Sequence, residues 1–179
     1  MALTATIYNF TVQLADVDRA VYETLSLKVA RHPSEAAEYL VTRVLAYCLE
    51  FHEGISFSRG LSSPDEPVIA VRDLTGVIQV WIEVGSPDAA RLHKASKAAP
   101  RVAVYTHKGP TLRHQLAGEK IHRSDALEIY TFDREFLAGL VARLERRMAF
   151  DLSVTDRHLF LNIGGTTLSS EIERIRLEA

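Results

Sequence analysis

Between Pro64 and Lys97 the chain sets two β-rich runs on either side of a glycine turn and follows them directly with a helix, an order few topologies satisfy. Val68–Asp73 and Val77–Val84 are the two runs, and Leu74-Thr75-Gly76 separates them, with the glycine able to take the positive φ of a tight hairpin turn. With Thr75-Gly76 as the central pair, facing residues have numbers that sum to 151, so Glu83 lies opposite Val68 and Asp73 opposite Ile78. Ser86 and Pro87 then supply an N-cap and a first helical residue for a helix from Pro87 to about Ala98, which Pro100 stops. Arg101–Thr106 follows as a buried strand carrying Val102, Ala103, Val104 and Tyr105. Strand, helix and strand in this order predict a βαβ crossover with parallel pairing, and hence an α/β core.

The flanking sequence adds strands and helices to that core. Thr4–Leu14 alternates, with Tyr8, Phe10, Val12 and Leu14 on one side, and Tyr22–Ala30 alternates again, which predicts an antiparallel pair. Ser34 is an expected N-cap for a helix that Gly54 closes, with Leu40, Val41, Val44, Leu45, Cys48 and Leu49 as its buried stripe. Cys48 on that stripe is a small core side chain rather than a nucleophile. Ile55–Leu61 is a short strand that runs into the loop Arg59–Pro64. A short helix over Thr111–Ala117 and a strand over Leu127–Phe132 come next, and Asp133 caps a helix over Arg134–Met148. Arg143, Arg146 and Arg147 favour the carboxyl end of that helix, complementing its dipole. Ala149–Val154 and His158–Ile163 form a second hairpin about Thr155–Arg157, and Thr166–Leu177 makes a terminal edge strand.

The chemistry that can be proposed sits around the first hairpin. Asp73 and Glu83 are about 17 Å apart along the ladder, too far to share one ion. Asp65 differs, because Pro64 and Pro67 prevent regular pairing and let its segment curl toward the Glu83 end. Two carboxylates brought together repel unless a proton or a cation separates them, and Mg²⁺ is commonly held by one or two carboxylates with waters and substrate phosphate. Such an ion activates water in phosphodiester hydrolysis. On the helix that follows, Ala89, Leu92, Ala95, Ser96 and Ala99 line one side, while Lys94 and Lys97 project largely opposite Leu92. Arg91 lies on the flank, one turn closer to the strand end, so Arg91 and Lys94 are the expected phosphate contacts, with Lys97 beyond them.

The spacing resembles the PD-(D/E)XK nuclease superfamily, with Pro64-Asp65 as first element and Glu83-Val84-Gly85 as second. Gly85 stands where that superfamily carries its lysine, so the resemblance implies either a basic group from elsewhere, with Lys94 the nearest substitute, or lost chemistry. Glu50 lies off the buried face of its helix and is expected to be an ordinary solvated glutamate; the resemblance also makes it a minor candidate, since a helix glutamate sometimes completes such a metal site. More specifically, the chain resembles the YaeQ family through Ala30-Arg31-His32-Pro33-Ser34-Glu35, Arg59–Pro67, Asp73-Leu74-Thr75-Gly76 and Trp81–Asp88, followed by Arg91 and Lys94. That resemblance implies a variant PD-(D/E)XK fold: a mixed central sheet with a restriction-endonuclease-like βαβ core at about residues 34–132, extended by antiparallel strands from both termini within a single domain of residues 1–179.

Composition narrows the function classes. With 179 residues, 47% hydrophobic and 25% charged, the chain can bury a proper core. No apolar run approaches the ~20 residues that span a bilayer, and Met1–Phe10 lacks a signal-peptide pattern, so the expected compartment is the cytoplasm with no membrane partner. The single Cys48 agrees with a reducing compartment. Charge is uneven: residues 1–85 carry six basic and eleven acidic groups, residues 86–124 carry eight and two, and residues 125–179 carry seven and ten. A basic third thus begins just after Glu83, which suits a phosphate-bearing ligand or is simply a solvated face. The seven histidines show no HxH or HExxH spacing, and GxSxG and Walker patterns are absent. Two functions follow. One is a Mg²⁺-dependent nuclease-like phosphodiesterase using Asp65, Glu83 and Lys94; the other is a non-catalytic module binding nucleic acid or protein on a degenerate fold.

Overall fold

The computed structural model describes residues 4–58 and 65–177. In chain order its elements are β1 (Thr6–Asp16), β2 (Val21–Arg31), α1 (Ala37–Leu49), β3 (Ile55–Phe57), β4 (Ile69–Arg72), β5 (Ile78–Val84), α2 (Ala89–Ala98), β6 (Arg101–Thr106), α3 (Gly109–Leu116), β7 (Glu128–Thr131), α4 (Arg134–Ala142), β8 (Arg147–Thr155), β9 (His158–Ile163), β10 (Thr166–Glu171) and β11 (Glu173–Ile175). The strands form two sheets, in the orders β10-β9-β8-β1-β2 and β11-β7-β6-β5-β4-β3. The fold is mixed α/β. Backbone contacts divide the chain into two compact units, Met1–Val41 with Phe132–Glu173 and Thr42–Thr131 with Arg174–Ala179. Among the described residues no helix is long and apolar enough to cross a membrane.

In the first unit, alternation drives the sheet. Phe10, Val12 and Leu14 are buried while Asn9, Thr11 and Gln13 are exposed, and β2 pairs antiparallel along the whole of β1, from Thr6–Arg31 to Asp16–Val21. The β8–β9 hairpin closes at Thr155–His158 with Asp156 and Arg157 both at positive φ, the conformation a two-residue type I′ turn requires. Asp18 fastens that turn by accepting from both backbone N–H groups, at 2.8 and 2.9 Å, and the Arg157 bond leads in holding its carboxyl below the usual range. The two hairpins join through a parallel pairing of β1 with β8, where Phe10 meets Phe150 edge-on.

Two expected boundaries move here. The helix predicted to Met148 stops at Ala142, because from Arg147 a two-residue period takes over and buries Met148, Phe150, Leu152 and Val154. Of the three arginines expected at its end, only Arg143 caps α4, donating to the Gly139 carbonyl at 2.9 Å. The terminal strand divides at buried Ile172, whose N–H goes to the Arg157 carbonyl; β10 pairs with β9, and β11 lies beside β7.

In the second unit the β4–β5 hairpin keeps the expected register at Ile69–Ile82, Ala70–Trp81 and Val71–Val80, then slips so that Arg72 faces Ile78. Asp73 causes the slip: its carboxylate accepts from the Thr75 N–H, the Thr75 hydroxyl and the Val77 N–H, building a longer turn closed by Gly76 at φ +88°. The βαβ crossover is present, with β5, β6 and β7 parallel neighbours.

Three helix boundaries also differ from expectation. α1 starts at Ala37 because the His32 ring accepts from the Ser34 N–H and engages its hydroxyl, making a turn of the residues expected to cap. It ends at Leu49; Gly54 instead passes so close to β4 that a Cβ would stand 2.1 Å from the Arg72 carbonyl oxygen. α2 is capped by Asp88, which accepts from the Arg91 N–H at 2.8 Å, rather than by Ser86. The expected stripe of α1 is buried, and burial pushes the Cys48 thiol up to about 12, which keeps it protonated and inert. The loop expected over Arg59–Pro64 lies outside the described residues, and β3 ends at Phe57.

Candidate functional site

Strand alternation places Trp81 and Glu83 on the same face of β5, the face that α2 covers. Trp81 packs into the core with Leu92, Ala95, Val102 and Val104, each such burial contributing about 1.5–3 kcal/mol for a large side chain. Two residues further on, the same face delivers a carboxylate: Glu83 is only 3% exposed at its side chain. Trp81 Nε1 donates to Glu83 Oε1 at 2.6 Å, and Arg91 Nη2 lies 2.9 Å from the same oxygen. Burial pushes the Glu83 carboxyl above its ordinary value, and the bonds from Arg91 and Trp81 offset that only in part.

Arg91 stands in the first turn of α2, and its Nη2 also donates to the Glu66 carbonyl at 2.6 Å, tying the segment before β4 to the end of β5. Three residues along the same helix, Lys94 pairs with Asp65. This second pair is open to solvent, with Lys94 53% and Asp65 73% exposed, and the Lys94 hydrogen bond and charge hold the Asp65 carboxyl below the usual range. Lys94 thus meets an acid near the strand end, which its outward angle alone did not favour.

Four of the expected residues, Asp65, Glu83, Arg91 and Lys94, therefore gather at the carboxyl end of β5. Both acids meet basic side chains from α2, Glu83 pairing with Arg91 and Asp65 with Lys94. Lys97 is exposed in the last turn of α2. Gly85 has φ +89° and donates its N–H to the Tyr105 carbonyl at 2.9 Å, so this position is a left-handed bend that favours glycine.

Glu50 is not the solvated residue expected. It is buried at the end of α1 and binds Arg101 through both oxygens, at 2.5 and 3.2 Å, while Arg101 also holds Glu128 at 2.7 and 3.0 Å. Tyr105 and Tyr130 hydroxyls donate to Glu50 and Glu128. Burial works against the Arg101 charge, but the bonds to Glu128 and Glu50 outweigh it and raise its pKa. Sequence reasoning missed this cluster, since Glu50 and Arg101 are 51 residues apart. The Trp81–Glu83 contact, by contrast, was visible in principle as two residues on one strand face.

A mixed sheet, with acids and bases gathered at the carboxyl end of one of its parallel strands, defines a mixed α/β protein. A family model described as YaeQ protein matches residues 1–172. The chain belongs to the YaeQ family. It is 37% identical over 164 residues to the uncharacterized protein YaeQ of Escherichia coli strain K12, covering 90% of this chain and 91% of that one. The Salmonella typhi protein of the same name is 34% identical over 174 residues, covering 96% of each. Among solved structures, YaeQ from Xanthomonas axonopodis pv. citri superposes with a TM-score of 0.85 at 30% identity, over 98% of this chain and 100% of that chain. YaeQ from Pseudomonas syringae does so with 0.84 at 29%, over 97% of each.

Proposed function

We propose that the protein is a divalent-metal-dependent phosphodiesterase of the cytoplasm acting on nucleic acid, on a variant PD-(D/E)XK, restriction-endonuclease-like core. Asp65 and Glu83 are its ion-facing acids, and Arg91 and Lys94 its phosphate-facing bases. The observation that carries this reading is the delivery by α2 of one base to each acid, which supplies the positive charge that Gly85 lacks.

The donor set suits Mg²⁺, because both side chains offer hard carboxylate oxygens. Among the described residues no three His, Cys, Asp or Glu side chains form an ion-binding group, so Asp65 and Glu83 would hold the ion together with water and phosphate oxygens. When bound, such an ion supplies Lewis acidity and a water nucleophile at neutral pH. The protein's own contribution is positional. Arg91 and Trp81 fix the Glu83 carboxylate, and the solvent-exposed Lys94, paired with Asp65, would meet a phosphate oxygen as negative charge develops there. The four charged groups cancel, so adding a dication makes the cluster positive and attractive to a polyanion.

Incubation with single- and double-stranded DNA and RNA in Mg²⁺ or Mn²⁺ is expected to yield products that vanish with EDTA and in Glu83→Ala. Cleavage that survives the substitution would eliminate the assignment. A second reading, a non-catalytic module, is favoured by the closure of Glu83, whose Oε1 already has two donors. It predicts salt-sensitive binding that persists in EDTA and weakens when Arg91, Lys94 and Lys97 are neutralised; no binding at low salt points to a protein partner.

A further inference from the structure

A hollow of about 230 Å³ opens over β3 and β4, with Ser56, Ser58, Glu66, Ala70 and Arg72 among its lining residues. Register explains its chemistry. Ser56 pairs with Ala70 and Ala70 with Trp81, so these side chains share the sheet face that α2 also occupies. Arg72, just past the slip in register, lines the hollow as well, and the small alanine between the longer side chains leaves the space. The backbone beneath Arg72 is fixed by the close approach of Gly54, whose carbonyl accepts the Arg72 N–H at 3.0 Å. The Arg72 guanidinium is steadied by a bond from Nη1 to the Gly76 carbonyl at 3.1 Å.

Glu66 connects the hollow to the acid–base cluster. Glu66 lines the hollow, and its carbonyl is held by the Arg91 nitrogen that also holds Glu83. The hollow and the cluster therefore meet at Glu66.

We propose that this hollow is a nucleotide subsite that takes a ribonucleotide 5′-phosphate, with the phosphate toward Arg72, Ser56 and Ser58 and the ribose hydroxyls toward Glu66. A guanidinium beside two hydroxyls matches the oxygens of a phosphate. A carboxylate repels phosphate but accepts hydrogen bonds from sugar hydroxyls, so the two poles of the hollow orient the ligand one way round. Its volume suits one nucleotide and not a base pair. The inference rests on the phosphodiesterase reading and deepens it, making single-stranded RNA the substrate class.

The test is an amide-shift titration of the full chain, without metal, using uridine 5′-monophosphate, its 2′-deoxy counterpart and uridine. The ribonucleotide is expected to move the amides of Ser56, Ser58, Glu66 and Arg72, and the two analogues to bind at least about fivefold more weakly, each having lost a group that a polar wall would pair. Arg72→Ala should lower the ribonucleotide affinity by a similar factor, with Arg72→Lys restoring part of it, and Glu66→Gln should narrow the preference over the deoxy form. The proposal is overturned if those amides do not move, if ribo and deoxy forms bind equally, or if Arg72→Ala binds as the wild type does. Nucleic-acid cleavage by a wild type whose hollow ignores the nucleotide defeats the subsite alone. Nucleotide binding by a protein that cleaves nothing defeats the phosphodiesterase reading alone.

Discussion

The six-stranded sheet carries two acid–base clusters, and they differ in almost every respect that matters for function. Arg101 and Glu128 open β6 and β7 at their amino ends and, with Glu50, occupy the face opposite Val102 and Val104. There one guanidinium serves two carboxylates through four bonds, and two tyrosine hydroxyls add to them. Asp65, Glu83, Arg91 and Lys94 sit at the carboxyl end of β5, on the α2 face, where Arg91 pairs with Glu83 and Lys94 pairs with Asp65 in the open. The first cluster is saturated and clamps helix to sheet. The second keeps exposed charge where parallel sheets present their crevices to ligands. Residue type is the same in both; strand end, face and exposure decide the difference.

The largest effect expected is on the clamp. Arg101→Met leaves Glu50 and Glu128 without the guanidinium that binds both, with the charge of Arg174 still acting on Glu128, and should cost about 2–3 kcal/mol in denaturant unfolding at neutral pH, below the cost of breaking a fully buried pair because Arg101 is 38% exposed. Glu128 has its carboxyl lowered in the fold, against burial, by Arg101 and Tyr130. Its contribution is therefore present above the unfolded carboxylate value and lost as pH falls through the folded one, so the gap between variant and wild type should narrow in acid. A gap that does not change with pH would mean that the clamp acts through packing rather than charge.

The next effect runs in the opposite direction. Because burial raises the Glu83 carboxyl, the folded state favours its protonated form, and stability falls as pH rises from the unfolded value through the folded one. Glu83→Gln keeps an acceptor for Trp81 and removes the buried charge, so it should melt above the wild type at neutral pH while losing any Mg²⁺-dependent cleavage. A lower melting temperature would place Glu83 with the structural clamp and erase the contrast between the clusters.

The smallest effect on stability belongs to the open pair. Lys94→Met should leave the melting temperature unmoved, since exposed ion pairs contribute little, yet reduce the salt dependence of nucleic-acid binding by about one phosphate contact. Unchanged salt dependence would show that Lys94 only holds Asp65.

How much of this was legible beforehand follows from the range of the forces involved. The βαβ core, the β4–β5 register over three pairs and the buried stripe of α1 were readable because two-residue and helical periods are written by near neighbours. Where a side chain competed for the backbone, expectation slipped by a few residues, as at His32 for α1, Asp73 for the hairpin and Asp88 for α2. Arg91 was readable as the base nearest β5, and Lys94 only by proximity along the helix.

By itself the sequence determined the α/β class, the strands that bury one face, the placement of Glu83 beside Trp81 and the basic helix that follows. Those are consequences of local stereochemistry and of apolar side chains leaving water together. Tertiary structure alone decided that β1 runs parallel to β8, that Glu50 is clamped rather than solvated, and that Lys94 finds Asp65 across 29 residues. A charge has no preferred partner until the topology brings one within a few ångströms, and burial then sets what the pair is for.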